Sequence, residues 1–415
     1  MLSRRVLITR GVTALVGLGG VPAFLARAAA AGTGRRKVLV TVFLRGAIDG
    51  LNVVVPFAEP DYYFSRPSIA IPRPGAEPDA ALDLDMFFGL HPRLSRLLPL
   101  YRQGALAVVH GCGSPHGTRS HFDAQDYLES GTPGVKSTAD GWLNRYLAAS
   151  ATADATPFRG VAVTQQRPRA LYGAAPTLTM SDLNRFGLSP ERNTAAFRES
   201  LADRYRITGD DTLGQAGRDA FEALRLLESV RVDAAPDHGA TYPPGAFGRS
   251  LRQIASLIKA DVGLQIGFAE LGGWDHHADE GATTGRLARG LDELAAGLTA
   301  LWTDLGDRME DVVILTMSEF GRSVEENGSR GTDHGHGNVM LLLGGNLNGG
   351  RVHGRWPGLS PEQRFERRDL AVTTDFRDLF GEILVRHLGV PLADARPIFP
   401  GHPVEPARFP GVLPG

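Results

Sequence analysis

Two short stretches of this chain concentrate side chains that bind cations. Gly273-Trp274-Asp275-His276-His277-Ala278-Asp279 sets two imidazoles and two carboxylates within five positions. Asp275 and His277 stand two apart, so on an extended segment both turn toward one site. The second stretch, Gly331-Thr332-Asp333-His334-Gly335-His336-Gly337-Asn338, places His334 and His336 between glycines, where backbone and imidazole both approach an ion closely. Nitrogen and carboxylate donors of this kind suit zinc, manganese or iron better than calcium. A solvated polar loop is the plainer alternative for the first stretch, and the density of ligand-type residues there disfavours it. Together the two stretches make a shared centre for one or two divalent ions the economical reading.

Three further segments carry reactive groups just after apolar runs, where ligands gather beyond the carboxyl ends of parallel strands. Asp49, trailed by Gly50, is either a carboxylate over the sheet edge or a turn aspartate. Thr316 to Arg322 offers Glu319 as a ligand or base and Arg322 as an anion clamp. Ser114 to Asp123 enters a short helix expected over Phe122 to Glu129. Ser120 there is either the helix N-cap or a nucleophile whose anion is stabilised by the helix N-terminus and a metal. His121 and Asp123 could serve the same site, and sequence does not rank them.

The elements that must position these residues follow from apolar spacing. Lys37 to Leu44 is a continuous Val/Leu/Phe run too short for a helix, which predicts a strand buried on both faces. Pro92 to Gln103 has helical spacing, Gly104 stops it, and Ala105 to His110 is again a buried strand. Leu287, Leu291, Leu294, Leu298, Leu301 and Leu305 predict a long amphipathic helix over about Thr284 to Asp307, leading into a strand at Val312 to Met317. Asp375 caps a last helix running to about His387. Alternation of this kind predicts an α/β fold, a mostly parallel central sheet with helices on both faces. Residues 181–244 are polar, charged and helix-leaning, and read as a helical cap inserted into one domain spanning residues 32–415.

Residues 1–31 have the layout of an export signal. Arg4-Arg5 precede an uncharged, glycine-interrupted apolar stretch from Gly11 to Ala26, and Ala28 to Ala31 supply small residues for cleavage. The arginine pair and modest apolarity favour the twin-arginine translocase and a periplasmic or secreted destination, with no stable membrane span after cleavage. Removing this leader takes away four arginines and no acid, leaving 40 of the 44 basic residues against 46 acidic ones, a net charge of about −6. That balance gives no support for nucleic-acid binding. Cys112 is the only cysteine, so stability comes from a core and not from a disulfide. No Gly-x-Gly-x-x-Gly loop or cysteine cluster motif supports a redox protein.

The order of these segments resembles the alkaline phosphatase and sulfatase superfamily, and their wording resembles the exported family known as domain of unknown function 1501. The resemblance rests on the twin-arginine start, Phe43-Leu44-Arg45-Gly46 to Asp49-Gly50-Leu51-Asn52, Ser120 to Gln125, Gly273-Trp274-Asp275 with His277, Met317 to Arg322, and Gly331 to Gly335. It implies an alkaline phosphatase-like fold and a two-metal centre beside a hydroxyl nucleophile, hydrolysing a phosphate or sulfate ester that is a small molecule or borne on a polymer. By position it implies Asp49 as the first metal carboxylate and Ser120 as nucleophile. Asp275 with His277 corresponds to the middle ligand pair, Glu319 to the next carboxylate and His334 to the last histidine. Where the superfamily carries Asp-His this chain has Glu319-Phe320, so His336 or His276 would have to replace one imidazole. Cys112-Gly113-Ser114-Pro115 sets its proline one place late for a formylglycine sulfatase. The missing imidazole also favours an alternative, a metal-stabilised binding or assembly protein that has lost catalysis.

Overall fold

The computed structural model describes residues 35–151, 157–185, 230 and 234–415. The expected leader and most of the expected helical cap lie outside these residues. In chain order the strands are β1 (Val38–Arg45), β2 (Val54–Val55), β3 (Leu82–Asp83), β4 (Gly89–Leu90), β5 (Leu106–Gly113), β6 (Gly160–Ala162), β7 (Leu178–Thr179), β8 (Ile266–Gly272), β9 (Val312–Met317), β10 (Arg322–Glu326), β11 (Thr332–His334), β12 (Asn338–Gly344), β13 (Val352–His353) and β14 (Thr374–Asp375). The longer helices are α1 (His121–Ser130), α2 (Trp142–Ala149), α3 (Ala246–Lys259), α4 (Arg286–Leu305) and α5 (Phe376–Glu382).

β1 shows why a sheet forms with a layer on each side. Its residues alternate between two cores: Val38, Val40, Val42 and Leu44 pack with α3 and α4, whereas Leu39 and Phe43 pack with α2 and α5. A strand apolar at nearly every position must be interior, because side chains two apart share a face and here both faces need cover. The six leucines predicted for one stripe of α4 are all buried. Burial of each contributes about 1.5–3 kcal/mol.

Nine strands form one sheet in the order β13-β5-β12-β9-β1-β8-β6-β7, with β14 also paired to β5. Every pairing is parallel except the two that β12 makes with β5 and β9. Eight strands therefore run one way and β12 alone runs against them. The carboxyl ends of β1, β5, β8 and β9 and the start of β12 thus share one edge, and every segment singled out for chemistry leaves or enters there. No helix among the described residues is long and apolar enough to cross a membrane.

Two elements differ from expectation in extent. The predicted helix over Pro92 to Gln103 divides into a 3-10 stretch, Pro92–Leu97, and an α-helical turn, Leu98–Arg102. Pro99 has no amide hydrogen and crowds the turn before it, so one continuous α-helix is disfavoured. The last helix leaves α geometry after Glu382 and ends in a π-helical turn, Ile383–His387.

Candidate metal centre

Four side chains from three distant segments converge at the shared sheet edge. His121 is the first residue of α1, Asp275 and His277 lie on the loop after β8, and His334 ends β11. The Nε2 atom of His334 is 2.9 Å from that of His121 and 2.9 Å from that of His277. Asp275 Oδ1 lies 3.0 Å from His277 Nε2, 3.2 Å from His334 Nε2 and 3.5 Å from His121 Nε2. His121 and His334 are about a quarter exposed, Asp275 and His277 nearly half, so solvent reaches the group.

The other nitrogen of each ring is held by an acceptor. His334 Nδ1 is 2.8 Å from the carbonyl oxygen of Arg119, and since a carbonyl only accepts, Nδ1 carries the proton. His121 Nδ1 is 2.8 Å from Glu319 Oε1, and His277 Nδ1 is 3.3 Å from Asp333 Oδ1. With neutral rings protonated on Nδ1, the three Nε2 atoms present lone pairs toward one another, an arrangement that a shared cation, or a proton on one ring, relieves. Backing each imidazole with a carboxylate or carbonyl is how metal-bound histidines are oriented. Donors on a tetrahedron around a zinc ion at about 2.0–2.1 Å stand about 3.3 Å apart, and the donor atoms of His121, Asp275 and His334 all lie within 4.8 Å of one another, with His277 at the edge of the group. The donor set therefore fits a zinc-like ion.

Burial alone would raise the pKa of Asp275, but the hydrogen bond and charge of Arg322 outweigh it and hold the carboxyl at about 2. Burial would likewise raise Glu319, yet His121, Gln125 and the Gly46 amide hold it below the ordinary carboxylate range. The hydrogen bond to Glu319 raises His121, and burial lowers His334.

The loops are fixed from beneath by Arg322, whose side chain is fully buried. Its Nε donates to Ala47 O at 2.7 Å and its Nη1 to Thr332 O at 3.1 Å. Nη2 donates to Gly46 O, Trp274 O and Asp275 Oδ1 at 2.6, 3.0 and 2.6 Å. One guanidinium thus ties the segments after β1 and β8 to β11, and β10–β11 pairing sets Arg322 opposite His334. Gly46 at φ +114° permits this closeness, since a Cβ there would lie 2.8 Å from the Asp275 amide nitrogen.

The structure brings Asp275, His277 and His334 together and keeps other expected site residues apart. Arg322 is no anion clamp, because its donors are taken up inside the protein. Asp49 is 2% exposed and paired with Arg66, and it is not part of the histidine group. Glu319 backs His121 and does not face the other donors. His336 stacks on Phe365 with ring centroids 4.1 Å apart, and burial lowers its pKa to about 4. His276 is buried too, which lowers it to about 4. Ser120 is an exposed N-cap, its Oγ accepting from the Asp123 amide at 3.5 Å. His121, which sequence left unranked beside Ser120, is a member of the group. Its signal was a histidine at the first helical position on the sheet edge.

Residues 103–391, a stretch containing all four converging residues, match the family described as "Protein of unknown function (DUF1501)". The chain belongs to the DUF1501 family. No curated protein sequence matches this DUF1501 chain. Among solved structures it is similar to PsFucS1 sulfatase from Pseudoalteromonas sp., at 12% identity and a TM-score of 0.37, over 80% of this chain and 68% of that one. It is also similar to the phosphonate monoester hydrolase of Agrobacterium radiobacter, at 10% identity and a TM-score of 0.34, over 86% and 75% of the two chains. A third likeness is to a protein of the alkaline phosphatase superfamily from Vibrio parahaemolyticus, at 10% identity and a TM-score of 0.29, over 77% and 63%.

Proposed function

We propose that this DUF1501 protein is an exported, metal-dependent hydrolase of phosphate or sulfate esters. The observation that carries the reading is the convergence of three imidazole Nε2 atoms on one carboxylate oxygen, each ring oriented by its own Nδ1 acceptor. His121, Asp275, His277 and His334 would hold a divalent ion, zinc or manganese ahead of calcium. Such an ion supplies Lewis-acid polarisation of an ester oxygen and lowers the pKa of a hydroxyl beside it.

The chain's own residues supply the rest. Glu319 keeps the proton of His121 on Nδ1, so that Nε2 remains a donor to the ion. Arg322 fixes the direction of the Asp275 carboxylate and offsets part of its charge, so a bound cation retains much of its positive field for an anionic ester. Ser120 is an exposed N-cap next to His121 in sequence, and in this reading its hydroxyl gives up the long capping bond to attack phosphorus or sulfur at the N-terminus of α1. The ester alcohol leaves with a proton, and water then releases phosphate or sulfate from the serine. Ser120→Ala should abolish cleavage of an aryl phosphate, aryl sulfate or phosphodiester while the metal content stays unchanged. Unchanged turnover would remove Ser120 from the mechanism.

One observation favours a second reading, a metal-stabilised binding or assembly protein. With His277 at the edge of the three-residue group, a fourth protein ligand is at hand, and a shell closed by four belongs to structural sites, whereas catalytic sites keep a position open. Metal content without turnover on a broad ester panel would support it. Export through the twin-arginine translocase completes the proposal, and replacing Arg4 and Arg5 together by lysine should hold the protein in the cytoplasm.

A further inference from the structure

Asp49 follows β1 at the position where the motif resemblance implies a metal carboxylate, yet its cation is already present in the chain. Arg66 grips it through both oxygens, Nη1 on Oδ2 and Nη2 on Oδ1, the latter at 2.9 Å. Arg66 is itself fully buried, and its other hydrogen bonds run to Val324 O, Asn52 Oδ1 and Ser323 O at 2.9, 2.8 and 2.9 Å. Asn52 is in turn fixed by the Tyr62 hydroxyl, which donates to Oδ1 at 2.7 Å, and by its own bond to Ile69 O at 2.9 Å. The guanidinium is thus built into the core beside Asp49.

Beside Asp49 the buried Glu280 accepts from the Thr332 hydroxyl at 2.8 Å, and burial and the Asp49 charge raise its pKa well above the ordinary carboxylate range, which favours its neutral form; two more of the expected ligands are committed elsewhere. Glu319 Oε1 accepts from Gly46 N at 2.9 Å and Gln125 Nε2 at 2.8 Å and faces His121 Nδ1 at 2.8 Å, while Oε2 accepts from the Ser318 hydroxyl at 3.2 Å. His336 is buried against Phe365. Among the described residues, the group of three or more histidine, cysteine or acidic donors close enough to surround an ion is His121, Asp275 and His334, with His277 beside it.

We infer that this chain binds a single metal ion, and that the Arg66 guanidinium supplies at Asp49 the positive charge a second ion would bring. The inference rests on the proposed metal centre. It gives the site a different chemistry from a two-ion clamp. A guanidinium stays protonated at any physiological pH and has no vacant orbital, so it neutralises Asp49 without polarising an oxygen or activating water. Any activation of a nucleophile then falls to the one ion at His334.

The test is elemental analysis of the full chain after stripping with a chelator, reloading with zinc or manganese and dialysis. One ion per chain is expected, none in His334→Ala, and still one in Asp49→Asn. Two ions in the wild type, one retained in His334→Ala, or loss of an ion in a folded Asp49→Asn would overturn the inference and leave a metal-dependent function standing. No ion in the wild type would sink both. The wild-type and His334→Ala counts decide the matter even if Asp49→Asn fails to fold.

Discussion

For single residues, metal binding depends on which ring nitrogen carries the proton. The Arg119 carbonyl fixes this for His334, and Glu319 does the same for His121 through a carboxylate held ionised within the core. Glu319→Gln keeps the shape but lets the amide rotate to present NH₂, weakening both the orientation and the basicity of His121. Loss of such a backing group typically costs 10–100-fold in metal affinity. Chelator competition should show a fall of about that size with secondary structure unchanged; an unaltered affinity would mean that Glu319 does not act through His121. Asp275, His277 and His334 were legible in the sequence because dense His/Asp clusters beside strand ends are rare. Asp49 was not, because nothing near it marks Arg66, 17 residues on, as its partner. Glu319 and Arg322 were visible as polar residues after a strand, but whether such a side chain faces the ligand or the core depends on packing that spacing does not encode.

At the scale of elements, the β10–β11 hairpin decides whether the site exists, because it carries His334 while its first residue, Arg322, bonds the loops after β1 and β8. Gly335 follows directly, and a Cβ there would lie 2.4 Å from the Arg322 carbonyl carbon. Exposed ion pairs contribute about 0–1 kcal/mol, but removing one partner of a buried charge pair costs about 3–5 kcal/mol. Arg322→Met removes the donor to the carbonyls of Gly46, Ala47 and Thr332, at about 1–3 kcal/mol for a buried acceptor left unmet, while half-exposed Asp275 turns to water, so urea denaturation should show a loss of about 3 kcal/mol. A loss under 1 kcal/mol would mean that the guanidinium is not the tie between these segments. The strands themselves were readable from short buried runs, and α4 from its leucine stripe. Hairpin β10–β11 was not, since Arg322–Glu326 and Thr332–His334 are too short and polar to show a period.

For the whole molecule, acid should act through buried imidazoles remote from the metal centre. His91, His110 and His387 each point Nε2 at a backbone carbonyl, and burial lowers each pKa to about 4. An unfolded histidine titrates near 6.5, so between about 6.5 and 4 the unfolded chain binds more protons than the folded one. Stability from these groups is intact above pH 6.5 and is lost as the pH falls toward 4. The thermal midpoint of the His334→Ala protein, in which metal loss plays no part, should decline through that window, and a flat profile would mean that these rings are not held neutral. The parallel sheet with both faces covered was legible from β-α alternation, and it alone explains why segments more than 200 residues apart reach one edge.

X-ray absorption at the edge of the bound metal reports whether the converging imidazoles hold an ion. The geometry predicts a first shell of nitrogen and oxygen at about 2.0–2.1 Å for zinc, with the outer-ring scattering of three imidazoles that falls away in His334→Ala. A shell of oxygen alone without imidazole scattering, or a spectrum unchanged by that substitution, would contradict it.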